Sequence, residues 1–186
     1  MFVRTQRLTL RPAWPEDAAE LAHAIGHESV VRNLAHAPWP YSVEAAESFA
    51  NTFSSPTEPK FLIFEHVGDT VRLIGCVAAS PLQGSEYEFG YWLTPDAWGR
   101  GYATEAGAAV LRAAKAAGVR KVQSGHFIDN PASGRVLRKL GFRPTGHVAS
   151  TYSLGRGAEA PSARFELDLS ESEDACDMDP DARLAA

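Results

Sequence analysis

The sequence predicts a single mixed α/β domain, and three observations carry that class. The 186 residues are 45% hydrophobic and 22% charged, the balance of a globular chain long enough to bury one core. Strand-like and helix-like runs then follow one another as strand, two helices, a three-stranded meander, helix, strand, helix and two strands. No internal repeat interrupts that order.

Each element has a local reason. RLTLRP (Arg7–Pro12) alternates apolar and polar residues and stops at proline, a first strand. PEDAAELAHAIG opens on proline and acids and ends at Gly26, a short helix with carboxylates at its positive end. APWPYS (Ala37–Ser42) is a rigid loop whose Ser42 caps VEAAESFANTF, the second helix. KFLIFEHV and TVRLIGCVAAS, joined through Gly68-Asp69, read as an antiparallel hairpin, and EYEFGYWL continues the meander. ATEAGAAVLRAAKAAG is helical to Gly118, with Ala106, Val110, Ala114 and Ala117 on one face. VRKVQSGHFI is a strand. NPASGRVLRKLGF is a helix with Asn130 at the N-cap, Pro131 at its first position and Gly141 at its stop. Alternation after Thr145 and in ARFELDL (Ala163–Leu169) predicts a closing hairpin.

The net charge of −5 belongs to the tail. Residues 170–186 hold six of the 23 carboxylates and one of the 18 basic residues, which leaves 17 of each in residues 1–169. That division predicts a folded domain over 1–169 and an acidic, disordered tail over 170–186. Inside the domain the charge is uneven: 6 basic against 12 acidic residues in 1–97, and 9 against 2 in 98–143. A neutral domain with one basic segment argues against nucleic acid as partner and for a local anionic ligand. No apolar run approaches the ~18 residues of a membrane span. The start lacks the apolar core of a signal peptide, and two cysteines (Cys76 and Cys176) make no disulfide framework, so a cytoplasmic setting is expected. The six histidines have no metal spacing, and Cys76 reads as a small core residue.

The most informative stretch is WGRGYATEA (Trp98–Ala106), two glycines between a strand and a helix. Strand, Gly-x-Gly, helix aims free backbone N–H groups and a helix N-terminus at an anion, so a phosphate or pyrophosphate is expected there. GRGYAT nearly matches the dinucleotide fingerprint Gly-x-Gly-x-x-Gly/Ala, but its sixth residue is Thr104. It also follows a meander rather than opening a βαβ unit, and no suitable acid lies about 20 residues on.

Trp98-Gly-Arg-Gly-Tyr-Ala103 resembles the pyrophosphate loop of the GNAT superfamily of N-acetyltransferases, Gln/Arg-x-x-Gly-x-Gly/Ala, with Trp98 in the Gln/Arg place. That departure is similar to the branch containing the ribosomal-protein N-terminal acetyltransferases. TQRLTLRP, PWPYS, EFGYWL and NPASGRVLRKLGF extend the resemblance over roughly residues 3–169. It implies the GNAT fold, a strongly bent mixed sheet with helices on both sides, and acetyl-coenzyme A as cofactor. EFGYWL would splay from its neighbour at Leu93, exposing backbone groups to the pantetheine and thioester. The amides of Gly99, Arg100, Gly101, Tyr102 and Ala103, with Thr104 at the helix start, would hold the pyrophosphate. Asn130 would meet the pantetheine, and Arg100 or Arg135 a phosphate.

The implied reaction transfers an acetyl group from the thioester to a primary amine by direct attack in a ternary complex. The acceptor would be a protein N-terminus, a small amine, an amino acid or an antibiotic. A backbone N–H at Leu93 would stabilise the oxyanion. Glu88, which shares a strand face with Glu86, occupies the acidic place before GYW and would take the amine proton. The tyrosine that many family members place five residues before the Phe of Gly-Phe is Leu137 here, so Ser133 becomes the nearest acid, with Tyr91 and Tyr102 as further hydroxyls. Trp39, Tyr41, Glu86 and His126 are the candidates for lining the acceptor site. Leu137 also keeps a different class open, a coenzyme A-binding sensor or assembly module without catalysis. A homodimer through the final strands fits either reading.

Overall fold

The computed structural model describes residues 1–53, 55, 58–68, 70–82 and 86–170. Asp69 of the expected hairpin turn and the acidic tail after Ser170, with Cys176, lie outside the described residues. Among those described, eight strands form one mixed sheet: β1 (Val3–Arg4), β2 (Leu8–Arg11), β3 (Lys60–Val67), β4 (Thr70–Pro81), β5 (Tyr87–Leu93), β6 (Lys121–Phe127), β7 (Arg143–Ser153) and β8 (Ala158–Asp168). Their order in the sheet is β1-β2-β3-β4-β5-β6-β8-β7. The helices are α1 (Ala18–Ile25), α2 (Glu28–Val31), α3 (Val43–Ala50), α4 (Tyr102–Ala116) and α5 (Pro131–Lys139).

The predicted caps form. The Ala45 N–H donates to Ser42 Oγ at 3.2 Å to open α3, and the Ser133 N–H donates to Asn130 Oδ1 at 3.3 Å to open α5. Two features went unread. One turn of helix, α2, is too short to show a period, and its two valines favour strands. The closing hairpin runs to eleven residues in each strand, because much of β7 is exposed and carries polar residues on both faces.

Strand alternation divides the core in two. On one sheet face Phe61, Ile63, Val77, Phe89 and Leu93 pack under α4 and α5. On the other, Leu62, Phe64, Leu73, Cys76 and Trp92 pack under α1 and α3. Cys76 is therefore core, and burial pushes its thiol up to about 12.

The functional break lies between β5 and β6, the parallel pair. They register only at Tyr87↔Val122 and Glu88↔Gln123, and Ser124 Oγ then donates to the Phe89 carbonyl at 2.8 Å. Beyond that point they part, so the splay begins four residues earlier than the expected opening at Leu93. On the other edge β5 stays bonded to β4 through Gly75↔Leu93. Gly75 allows that approach: a Cβ there would stand 2.2 Å from the Trp92 carbonyl oxygen and 2.8 Å from Leu93 Cδ2. Gly75→Ala is expected to cost about 2 kcal/mol through overpacking, a melting-temperature fall of roughly 4–8 °C by calorimetry.

Candidate active site

The parted strands leave a groove of about 570 Å³ between β5, β6 and the first turns of α4 and α5. Its backbone is polarised by register. The Thr94 N–H donates to the Ile74 carbonyl at 2.8 Å, so residues 92 and 94 turn their polar groups to β4. By antiparallel alternation the groups of Tyr91 and Leu93 face the groove. The Leu93 carbonyl is taken by Trp98 Nε1 at 2.9 Å, which leaves the Leu93 N–H pointing into the gap beside a tied strand end.

The glycine loop closes one end. Gly99 and Gly101 have φ of 73° and 81°, a left-handed conformation that side chains rarely adopt. No Cβ would clash at Gly99, so the glycine serves the turn and not close packing. Gly101 caps α4 with its carbonyl, which accepts from the Glu105 N–H at 3.1 Å. Among the described residues, no backbone N–H from residue 99 to 104 donates within the protein. That row of free amides stands at the positive end of a 15-residue helix, a geometry suited to an anion.

Trp98, Gly99, Gly101, Tyr102, Ala103, Thr104, Asn130 and Arg135 all line this groove, as the sequence led one to expect. Arg100 does not. Its guanidinium turns behind the loop to Glu65, with Nη2 2.6 Å from Oε1, and lies over the Tyr102 ring. Its place as a cation in the groove goes to Lys139, four residues after Arg135 and on the same helix face. A lysine in the last turn of α5 reads as a dipole partner, which hid it.

Glu65 was missed altogether, although an acid inside the apolar run KFLIFEHV is an audible signal. Its side chain is 3% exposed and accepts from Tyr102 Oη at 2.5 Å, Arg72 Nη2 at 2.9 Å and Arg100. Burial pushes its carboxyl up, but the Tyr102 and Arg72 hydrogen bonds and the charges of Arg100 and Arg72 outweigh that and hold it below the usual range. The loop is braced from the other side by Arg7. Its Nη1 donates to the Arg100 carbonyl at 3.0 Å, and its Nε donates to Glu105 Oε2 at 2.7 Å.

The hydroxyls sort clearly. Tyr102 is committed to Glu65, which raises its pKa, so it is withdrawn as a proton donor. Tyr91 Oη donates to Ser133 Oγ at 3.1 Å, both on the groove wall. Burial raises the Tyr91 phenol, with a smaller lowering from Ser133, so it is protonated at neutral pH. Leu137 is fully buried in the core and could not reach the groove.

A second cavity of about 400 Å³ lies on the α1/α3 face. Glu88, Gly90, Tyr91, Trp92 and residues 34–36 line both spaces, so the two meet at β5. Glu88 stands at that junction, and among the described residues its carboxylate has no hydrogen-bond or ion-pair partner. Tyr41 lines the second cavity, and burial lifts its phenol to about 12. Trp39, only two residues away, lines neither: it is exposed beside a cis Trp39-Pro40 bond. Glu86 also falls outside both, because β5 starts at Tyr87 and Gln123 Nε2 donates to the Glu86 carboxylate at 2.6 Å. His126 lines the first groove and not the second cavity. Its Nδ1 donates to the Phe127 carbonyl at 2.8 Å, and its Nε2 faces Gly134, where a Cβ would sit 2.5 Å away.

A mixed sheet parted beside a Gly-x-Gly helix start, with a second cavity meeting the gap, defines an acyl-coenzyme A-dependent N-acyltransferase. Residues 7–143 match the model of the acetyltransferase (GNAT) domain, and the chain belongs to that family of acetyl-coenzyme A-dependent acetyltransferases. It is 30% identical over 150 residues to the uncharacterized N-acetyltransferase YoaA of Bacillus subtilis (strain 168), across 78% of this chain and 84% of that one. The fold is similar to that of a GNAT-family acetyltransferase from Bacillus anthracis, with a TM-score of 0.77 and 22% identity over 92% of this chain and 100% of that one. It is also similar to RimL, a ribosomal L7/L12 α-N-protein acetyltransferase solved in complex with coenzyme A. That TM-score is 0.73, with 16% identity over 90% of this chain and 98% of that one.

Proposed function

We propose that the chain moves an acetyl group from acetyl-coenzyme A to a primary amine by direct attack, with both substrates bound at once. The observation that carries this reading is the junction of the two cavities at Glu88: a donor entering along the groove and an acceptor entering from the opposite sheet face meet at β5. The bound cofactor supplies the activated acetyl carbonyl. The residue 99–104 amides would hold its pyrophosphate, Arg135 and Lys139 further phosphate charge, and Asn130 the pantetheine arm.

Glu88, unpartnered and within both spaces, is placed to take the proton of the incoming ammonium. The Leu93 N–H is fixed by register and by Trp98, so it would stabilise the oxyanion without reorganising. Tyr91 donates to Ser133 Oγ, so the Ser133 proton is free to point into the groove and meet the departing thiolate. This pair supports the enzyme reading over a silent sensor: the family tyrosine is absent, yet two hydrogen-bonded hydroxyls line the same wall.

The test is thiol release from acetyl-coenzyme A across peptides, amino acids, polyamines and simple amines, beside calorimetric cofactor binding. Turnover with an amine is expected. Tight binding with no turnover on any acceptor would replace the enzyme reading by the sensor. Arg135→Gln with Lys139→Gln is expected to weaken coenzyme A about tenfold, an effect that shrinks with salt, and to leave the rate at saturation unchanged. An unchanged dissociation constant would remove both residues from the phosphate site.

A further inference from the structure

The second cavity has a chemistry of its own, and it narrows the acceptor. Its floor is the sheet face of β4 and β5, where Cys76, Ala78 and Ser80 on β4 and Gly90, the partner of Ala78 on β5, are all small. A Cβ added to Gly90 would meet nothing within 4 Å, so the space above it is empty. The same face further along the sheet is filled by Leu62, Phe64 and Leu73. Small side chains therefore hollow out one part of an otherwise packed layer. Over them stand Ile25, Leu34, Tyr41 and Phe49, and Trp92 on β5 lies beside Cys76, which gives the volume apolar and aromatic walls.

Among the described residues that line it there is one carboxylate and one ammonium, with the His36 imidazole at the shared end. Glu88 lies at the end shared with the cofactor groove, and Lys60 lies on β3, two strands away. The register Lys60↔Ala78↔Gly90 puts Lys60 on the same sheet face as the cavity. Its ammonium lies 4.8 Å from the Phe49 ring and 4.6 Å from the Phe53 ring, and donates to Thr52 Oγ1 at 2.5 Å. Among the described residues it has no ion-pair partner within 4 Å. Entering this space, an acceptor finds a carboxylate where its amine must sit, an apolar chamber behind it, and a positive charge at the far rim.

Resting on the acetyl-transfer reading above, we infer that the acceptor is a monoamine with an apolar aliphatic or aromatic body, and that this cavity selects against polycations. The volume lies within the span of small-molecule sites, about 300–1,000 Å³. A second ammonium would be desolvated against aromatic walls and would meet Lys60, with no second carboxylate among the described lining residues to receive it. An apolar body gains by burial, about fourfold in kcat/KM for each methylene added. The same chemistry is offered by a free amine and by a peptide whose first side chain is apolar.

The test measures kcat/KM for the linear amines from ethylamine to hexylamine, phenethylamine, spermidine, and tetrapeptides beginning with Phe or Asp. The expected result is a rise of about fourfold per methylene until the cavity is full. Spermidine is expected about 100-fold below hexylamine. A Phe-peptide rate above that of phenethylamine identifies peptide N-termini as the source of the body; the reverse identifies free amines. Ala78→Phe, which fills the floor, is expected to lower the hexylamine-to-ethylamine and phenethylamine-to-ethylamine ratios of kcat/KM at least tenfold. Lys60→Gln is expected to raise spermidine about tenfold.

A flat chain-length series, a preference for spermidine, or indifference to Ala78→Phe would overturn the inference. Should no amine be acetylated, the transfer reading fails on its own, and calorimetry of phenethylamine on the coenzyme A-saturated protein decides the cavity separately. Binding that Ala78→Phe abolishes upholds it, and no binding overturns it.

Discussion

Glu65→Ala is expected to lower the melting temperature by about 6–12 °C and to weaken acetyl-coenzyme A binding about tenfold. The carboxylate is buried and is shared by three donors, Tyr102 Oη, Arg72 and Arg100, two of which flank Gly101 in the anion loop. Its removal orphans a buried hydroxyl, leaves the Arg100 guanidinium without its carboxylate and leaves Arg72 with Asp96 alone. Breaking a buried ion pair costs about 3–5 kcal/mol, and the low end applies because Arg72 and Arg100 keep side-chain exposures of 43% and 47%. At about 2–4 °C per kcal/mol for a domain of this size, 3 kcal/mol gives the stated fall. The binding loss has a separate origin. Arg100 and Tyr102 set the direction of the amides between them, and free amides are useful to a pyrophosphate only when already aligned.

Glu65→Gln keeps the shape and one acceptor oxygen, so it should recover part of both losses, a recovery that general destabilisation would not produce. pH separates the terms further. The native pKa of Glu65 lies below the unfolded value, so its charge contributes fully above about pH 5 and is lost as pH falls through the native value. The stability gap between the native chain and Glu65→Gln should therefore close on acidification. A gap independent of pH, or cofactor affinity unchanged in Glu65→Ala, would show that the cluster does not align the loop.

Glu88→Gln is expected to lower kcat/KM by about 10²–10⁴ for an alkylamine acceptor, with the KM for acetyl-coenzyme A unaltered. An amine of pKa near 10.4 costs about 4 kcal/mol to deprotonate at pH 7.5, and Glu88 is the one carboxylate among the described residues lining both cavities. The loss should shrink for an α-amine of pKa near 8, which is already partly neutral, and the variant should recover with rising pH as solvent removes the proton. Equal rates and equal pH profiles for both proteins with an alkylamine would show that the proton leaves by another route.

The sequence disclosed this site unevenly, and particular residues show why. Gly99, Gly101, Asn130 and Ser42 were legible because a turn or a helix end demands those residue types within three or four positions. Glu88 was legible from its place in a strand beside a recognisable motif. Arg100 was misread: a basic residue in a phosphate loop faces the phosphate only if nothing better stands behind it, and Glu65, 35 positions earlier, does. Trp39 and Tyr41 share one stiff loop and looked equivalent. Which of them meets the cavity is set by the path of the loop from Ala37 into α3, a three-dimensional matter. Glu86 shared a face with Glu88 on paper, but the strand begins after it and Gln123 draws it aside.

What the sequence by itself determined is the local grammar: the order of strands and helices, their caps, the glycine turn, the two alternating faces of each strand, and through the motifs the family. These follow from steric and hydrogen-bond rules that act over a few residues. The tertiary structure alone decided where β5 parts from β6, which cations face the groove, that Glu65 anchors the loop, and that small residues from two strands hollow one cavity against the other. Those features join positions from about ten to nearly a hundred apart in the chain. Their energies come from burial and charge pairing between segments, which no single stretch of sequence contains.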